Sequence, residues 1–340
     1  MNRKFINALE RRPQPTPPIW FMRQAGRYHS HYQGMRSKNS FDQLCRQPEL
    51  AAEVALGPIR DFDFDVSILF SDILYPLDAV GLGLSYSDQG PKLEKQVRDL
   101  ADIRAFKPVE EAFAQLSFQG EALRATRELL PKDKSLIGFI GGLWTLFVYS
   151  IEGGHSGSLV ESKKRAPLFP EFLKVFEPLM EANIRMHLDN GAEVVMIFDT
   201  AAGEVSPAFF RQYLAPALLR FAGRFPGRLG YYSKGTQAAF FDEAFVSAPW
   251  AGRGFDHRWD ITRALKDTKK GFVQGNFDQG LLHMEAGDFD RALDLYLEPL
   301  AEMTTEERAG WVCGLGHGVL PKTPERNVRR FVDRVREVLK

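Results

Sequence analysis

Cysteine is nearly absent. The 340 residues contain two, Cys45 and Cys313, with no C-x-x-C and no Cys/His ligand spacing. A disulfide scaffold and a zinc finger are therefore not expected, and a reducing compartment, the cytoplasm, is the default. An excess of either charge is also missing: Lys+Arg and Asp+Glu both count 44, for a formal net charge of zero. A general nucleic-acid binder or a membrane-surface protein usually needs a basic excess, so neither is expected, although one local basic pocket for an acidic small molecule remains compatible. Long apolar runs are lacking as well. The most apolar stretch, Val66 to Leu84, is interrupted by Asp72 and Asp78 and cannot be an ordinary membrane span. The first ten residues are charged early and carry no apolar core of signal-peptide length, so no export signal is expected. Finally, G-x-S-x-G, H-E-x-x-H, Walker and kinase signatures are missing, which leaves hydrolase and metalloenzyme readings without support.

What is present is a core-forming chain, 44% hydrophobic, with no linker, repeat or low-complexity tract. The Pro-rich piece Pro13–Pro18 reads as a stiff entry arm covering about residues 1–17, ahead of one domain that spans 1–340. Short β-prone runs are expected at Pro18–Met22, Val66–Phe70, Ser135–Phe139, Val194–Phe198, Arg228–Tyr232, Gly254–Asp256, Gly271–Gln274 and Trp311–Leu315. Helical periodicity fills most gaps: Glu49–Arg60, Glu110–Leu130, Pro170–Asn190, Ser206–Phe221, Thr236–Val246, Ile261–Asp267, Phe289–Met303 and Pro324–Leu339. Ser206-Pro207 and Thr323-Pro324 each place a hydroxyl N-cap before Pro at the first helical position. Strand followed by helix, repeated eight times, predicts a (β/α)8 barrel, with a doubly wound sheet as the alternative on pattern alone.

Just past each expected strand stand polar or glycine residues: Arg23, Ser71-Asp72, Gly141-Gly142, Asp199-Thr200, Ser233-Lys234, His257, Gly275-Asn276 and Gly316-His317. In a barrel these positions ring one mouth, where active sites sit, although any strand must end in something polar. Within Trp20–Tyr28, Arg23 and Arg27 flank Gly26, so two guanidiniums could each grip a carboxylate while the backbone approaches a ligand; a solvated turn is the plain alternative. Asp72 sits among apolar neighbours and needs a partner, a purpose, or an N-cap role. Tyr149 falls four residues after Thr145, on the same face if a helix begins there, and a lone Tyr is more often core than site. Gly314-Leu315-Gly316-His317-Gly318 exposes His317 to the mouth. It lacks the third glycine of a dinucleotide fingerprint, which leaves a weak phosphate-loop reading.

Trp20 with Arg23-Gln24-Ala25-Gly26-Arg27, Phe70-Ser71-Asp72-Ile73-Leu74, Gly138-Phe139 to Gly154, Ile197-Phe198-Asp199, Gln274-Gly275-Asn276 and Leu315-Gly316-His317-Gly318 occur in this order along essentially the whole chain. In these motifs the chain resembles the uroporphyrinogen decarboxylase family. The resemblance implies a single distorted (β/α)8 barrel with its cleft at the carboxyl ends of the strands, usually a homodimer, with neither metal nor organic cofactor. It implies a carboxy-lyase that removes carbon dioxide from the four acetate side chains of uroporphyrinogen III, giving coproporphyrinogen III in haem biosynthesis. The partner so implied is a small anionic tetrapyrrole. Carried over by motif, Arg23, Gln24, Ala25, Gly26 and Arg27 bind substrate carboxylates and Asp72 binds the pyrrole N–H groups. Tyr149, Thr200 and His317 complete the substrate site. Asp72 and Arg23 are the catalytic candidates, Arg23 as a helper in proton delivery.

The sequence departs from the family pattern at Leu143 (usually Pro), Thr200 (usually Ser), Ala201 (usually larger) and His29-Ser30-His31 (usually apolar-Pro-Glu, in a longer loop). These changes bear on loop geometry and substrate preference. Rival readings are a zinc-dependent corrinoid methyltransferase of the same superfamily, a non-catalytic porphyrin binder, and a phosphate-binding barrel isomerase.

Overall fold

The computed structural model describes residues 1–87, 90–154 and 157–340. Its strands are β1 (Val66–Ile68), β2 (Leu84–Ser87), β3 (Gly90–Leu93), β4 (Ser135–Gly141), β5 (Val194–Asp199), β6 (Leu229–Ser233), β7 (Gly252–Gly254), β8 (Phe272–Phe277) and β9 (Trp311–Leu315). Seven of them form a curled parallel sheet in the order β1-β4-β5-β6-β7-β8-β9, and β2 and β3 pair as a separate antiparallel hairpin. Parallel strands joined by helices are covered on both faces, which is why β4, β5, β6, β8 and β9 are buried along their full length.

The strand expected at Pro18–Met22 is reduced to one parallel bridge, Ile19 to Cys313. It nonetheless lies in the seam between the two edge strands. Cys313 N–H donates to Pro18 O (2.9 Å) and Trp20 N–H to Cys313 O (3.3 Å), while on the other side Asp65 N–H donates to Ile19 O (2.9 Å). The segment stays short because the chain turns sharply at Arg23, whose φ of 60° is left-handed. The barrel expected from the sequence is thus present and distorted, with its first strand the weakest.

The helices at Pro48–Phe62, Phe169–Asp189, Ile261–Asp267, Ala286–Glu302 and Glu325–Val338 agree with expectation to within a few residues. Others differ for local reasons. Glu110–Leu130 breaks into Val109–Ala114 and Ser117–Leu129, and Leu116 at the break turns into the core. The Ser206 hydroxyl caps its helix as expected, but the helix runs through a π-turn at Phe210–Leu214, just ahead of Pro216, which cannot donate to the ladder. Thr236–Val246 is not one helix: Asp242 caps a separate turn, Glu243–Ser247. Nor does Thr323 cap the last helix. Its hydroxyl donates to Leu320 O instead, and the helix starts at Glu325. Within the expected entry arm, Arg3–Leu9 is a helix that buries Phe5 against Phe272. The strand expected at Gly254–Asp256 lies two residues earlier, so Asp256 falls past its end.

Candidate active site

The strand ends gather at one mouth. Arg23 follows the seam segment, Asp72 follows β1, Thr200 follows β5, Lys234 follows β6 and His317 follows β9. Asp72 is half-buried, and its Oδ1 accepts the Leu74 N–H at 2.8 Å, leaving Oδ2 without a hydrogen bond from another described residue. Burial raises the carboxyl pKa above the ordinary value, against the opposing pull of the Leu74 amide, the Arg23 charge and the neighbouring Tyr86 hydroxyl. Tyr149, half-buried on the Leu143–Glu152 helix, also has its pKa raised, by burial and then by the charge of Asp72, with Arg23 pulling the other way. Arg23, Asp72 and Tyr149 therefore share one local field.

The Arg23 side chain lies against Gly318, where a Cβ would come within 2.6 Å of Arg23 Cδ, so the glycine after His317 makes room for the guanidinium. Arg23 and Arg27 are exposed and Lys234 is half-buried, and among the described residues none of the three forms an ion pair. His317 is half-buried and stacks parallel to Tyr232 (ring centroids 6.0 Å, 10°), with Nδ1 3.0 Å from the Tyr232 hydroxyl. Its pKa is pushed down to about 3, first by burial and then by Arg23 and Lys234, so the imidazole is neutral at pH 7.

Not every candidate side chain faces the mouth. Gln24 is buried at 1% exposure; its Oε1 accepts the Phe21 N–H and its Nε2 donates to Val66 O, so it holds the loop that carries the arginines. Ala25 and Gly26 are half-buried in that loop, and Thr200 makes no side-chain hydrogen bond among the described residues. Thr145, the same-face partner of Tyr149, donates its hydroxyl to Asp199 Oδ1 at 2.6 Å and receives the Ala201 N–H at 3.1 Å.

Three further residues shape the mouth. Tyr86 on β2 lies beside Asp72. Tyr232 holds His317. Asp256, fully buried, accepts the Gly235 N–H at 2.6 Å and pairs with Arg258, fixing the turn after Lys234. Asn276, by contrast, is structural: its amide donates to Asp256 O and Trp259 O. Cys313 is buried within β9, and among the described residues no group of three or more His, Cys, Asp or Glu is placed to hold a metal ion. No helix among the described residues is long and apolar enough to cross a membrane.

Fold and site define a parallel-sheet barrel with an anion-receptive mouth, in which Arg23, Arg27 and Lys234, without ion-pair partners among the described residues, share the strand ends with the half-buried Asp72. Residues 1–338 match the family model described as uroporphyrinogen decarboxylase. A uroporphyrinogen decarboxylase of Pseudoalteromonas atlantica is 35% identical over 346 residues, covering 98% of this chain and 96% of the relative. One from Thermus thermophilus is 32% identical over 348 residues, covering 99% and 98%. Among solved structures, a methyltransferase from Methanosarcina mazei superposes with a TM-score of 0.77 at 18% identity, covering 98% of this chain and 97% of that one. A B12-independent methionine synthase from Shewanella superposes with a TM-score of 0.54 at 11% identity, covering 96% of each chain. These two likenesses show the fold alone. The chain belongs to the uroporphyrinogen decarboxylase family.

Proposed function

We propose that this protein decarboxylates the four acetate side chains of uroporphyrinogen III, giving coproporphyrinogen III and carbon dioxide in tetrapyrrole biosynthesis. The observation that carries the reading is Asp72: one oxygen is fixed by the Leu74 amide, the other has no hydrogen bond within 3.5 Å from a described residue, and Tyr86, Arg23 and Tyr149 stand beside it.

Loss of carbon dioxide leaves an electron pair that needs an acceptor, and many enzymes recruit a cofactor for it. A pyrrole can serve instead. Protonation at a ring α-carbon makes a cation, the bond from the acetate methylene to its carboxylate breaks into that cation, and the methylene then takes a proton to become methyl as the ring carbon gives one up. Oδ2 of Asp72 accepts the pyrrole N–H groups and stabilises the ring cation. At ~4 Å and an effective dielectric near 20, that attraction is roughly 4 kcal/mol, about a thousandfold in rate when expressed only in the transition state.

Arg23 and Arg27 grip substrate carboxylates, and Arg23, beside Asp72, helps deliver the proton; Gln24, Ala25 and Gly26 shape the loop on which both arginines stand. Tyr149 and the Thr200 hydroxyl complete the polar lining with His317. The chain works as one barrel domain across residues 1–340, in the cytoplasm and as a homodimer. The family likeness supports both, and two free, buried cysteines fit a reducing compartment.

The test is anaerobic incubation with uroporphyrinogen III, followed by oxidation and separation of the porphyrins by carboxylate number. A ladder from eight carboxylates down to four is expected, and a bound but unaltered substrate would overturn the reading in favour of a porphyrin-binding protein. Arg23→Lys that kept full turnover and only bound more weakly would remove Arg23 from the proton step. Sedimentation equilibrium tests the dimer.

A further inference from the structure

The Tyr232 hydroxyl stands between two groups. It lies 2.8 Å from Gly316 O and 3.0 Å from His317 Nδ1. A phenol has one proton to give, and a carbonyl oxygen can only accept. If Tyr232 donated to His317, the Gly316 carbonyl and the phenol oxygen would face each other without a proton between them. Both contacts are satisfied together in one arrangement: Tyr232 O–H donates to Gly316 O, and His317 Nδ1–H donates to Tyr232 Oη.

From this geometry we infer that Tyr232 is a positioning residue that fixes His317 in its Nδ1–H tautomer, so that a bare Nε2 accepts a hydrogen bond from the substrate. Nε2 has no hydrogen bond to a described residue and is not among the buried atoms lacking one, which leaves it reachable from the cleft. The near-parallel stack of the two rings restricts rotation of the imidazole. The surroundings keep the ring neutral: burial first, then Arg23, Lys234 and His257, disfavour a second proton, and Asp256 opposes them only in part.

The consequence is chemical selectivity. Ionised carboxylates accept and do not donate, so a bare nitrogen repels them, and they are left to the arginines. A porphyrinogen offers donors at its ring N–H groups. His317 Nε2 thus joins Asp72 as an acceptor for the macrocycle, without adding a negative charge that would repel the acetates. This step rests on the function proposed above, whereas the tautomer does not.

The test is nitrogen-15 NMR of ring-labelled histidine in the ligand-free protein, compared with Tyr232→Phe. The wild-type His317 is expected to carry its proton on Nδ1. In Tyr232→Phe, Nδ1 loses its acceptor and the ring moves towards the Nε2–H form. With uroporphyrinogen III the variant should lose about tenfold in kcat/KM, mostly through KM, because an Nε2–H meets a pyrrole N–H donor to donor. Circular dichroism reports whether the variant is folded, and the wild-type tautomer decides the matter if it is not. An Nε2–H wild-type ring, or a folded Tyr232→Phe with unchanged tautomer and kcat/KM, would overturn the inference. An Nδ1–H wild-type ring in a protein that turns over no uroporphyrinogen would overturn the functional reading and leave the hydrogen-bond chain standing.

Discussion

Asp72 and Asp199 stand just after β1 and at the end of β5, two aspartates at the same mouth with opposite surroundings. Asp199 is 1% exposed and receives the Thr145 hydroxyl and amide on Oδ1 and the Tyr231 hydroxyl on Oδ2. Its side chain also packs against Gly142, the N-cap of the helix that carries Tyr149. Asp72 receives one backbone amide and remains half-buried. Burial raises both pKa values, Asp199 to about 6. What separates them is the number of donors supplied by the protein. Asp199 is saturated, so it can only hold structure. Asp72 has one oxygen without a hydrogen bond from a described residue, and on the function proposed above its cost is offset when a ring N–H donor arrives.

The largest expected effect tests that difference directly. Asp72→Asn should lower turnover by about a thousandfold, since it removes the charge that stabilises the ring cation. Its thermal stability should be equal to or above that of the wild type, because a poorly compensated charge has gone. Single-turnover kinetics and a melting curve on one preparation check both halves; a large loss of stability would place Asp72 with Asp199.

Next comes Thr145→Val. It strips Asp199 of its hydroxyl donor and leaves a buried carboxylate short of a partner, a cost of roughly 1–3 kcal/mol measured by denaturant unfolding. Turnover should fall more modestly, through the shifted Tyr149 helix.

Asp199→Asn is expected to be visible mainly in the pH dependence of stability. The folded carboxyl titrates near 6 and the unfolded one near 4, so the folded state holds more protons between those values. Stability from this group is therefore present below pH 4 and lost as pH rises to 6, on the order of 3 kcal/mol. The variant should lack that slope, and identical pH profiles of unfolding for the two proteins would contradict it.

Salt gives the smallest effect. Added sodium chloride should raise KM several-fold by screening the exposed Arg23 and Arg27, while the buried contacts of Asp199 stay as they are. A KM independent of salt would mean that those arginines do not hold the substrate carboxylates.

Much of this architecture is legible along the chain. Val194–Phe198 and Trp311–Leu315 read as strands because β-branched and aromatic residues stand close together there, and both are buried in the fold. The unusual loop from Arg23 to Arg27 and the lone Asp72 also stand out, since charge beside an apolar run needs a reason. Other features are hidden for equally physical causes. Tyr231 and Tyr232 are adjacent in a strand buried on both faces, so alternation cannot say which one meets His317. Leu84-Ser85-Tyr86-Ser87 alternates over only four residues, too short a run to announce the hairpin that brings Tyr86 beside Asp72. Gln24 lies in the most distinctive motif and turns inward, because the carbonyl it meets belongs to Val66, forty-two residues further on. The contrast between Asp72 and Asp199 is likewise set by donors that come from other segments.

The seam also fixes when the site can exist. Pro18–Trp20 is held on one side by residue 65 and on the other by Cys313, and Val319 donates to Met22 O just before Arg23. A growing chain makes its arginine loop early, yet the strand that locks that loop, Trp311–Leu315, follows only some way after every other strand of the sheet. Synthesis of that strand is thus a condition for setting the arginine loop in place. A nascent or C-terminally truncated polypeptide that stops short of Trp311 carries every acidic and basic group of the cleft except His317, and has no partner strand to set Arg23 opposite Asp72.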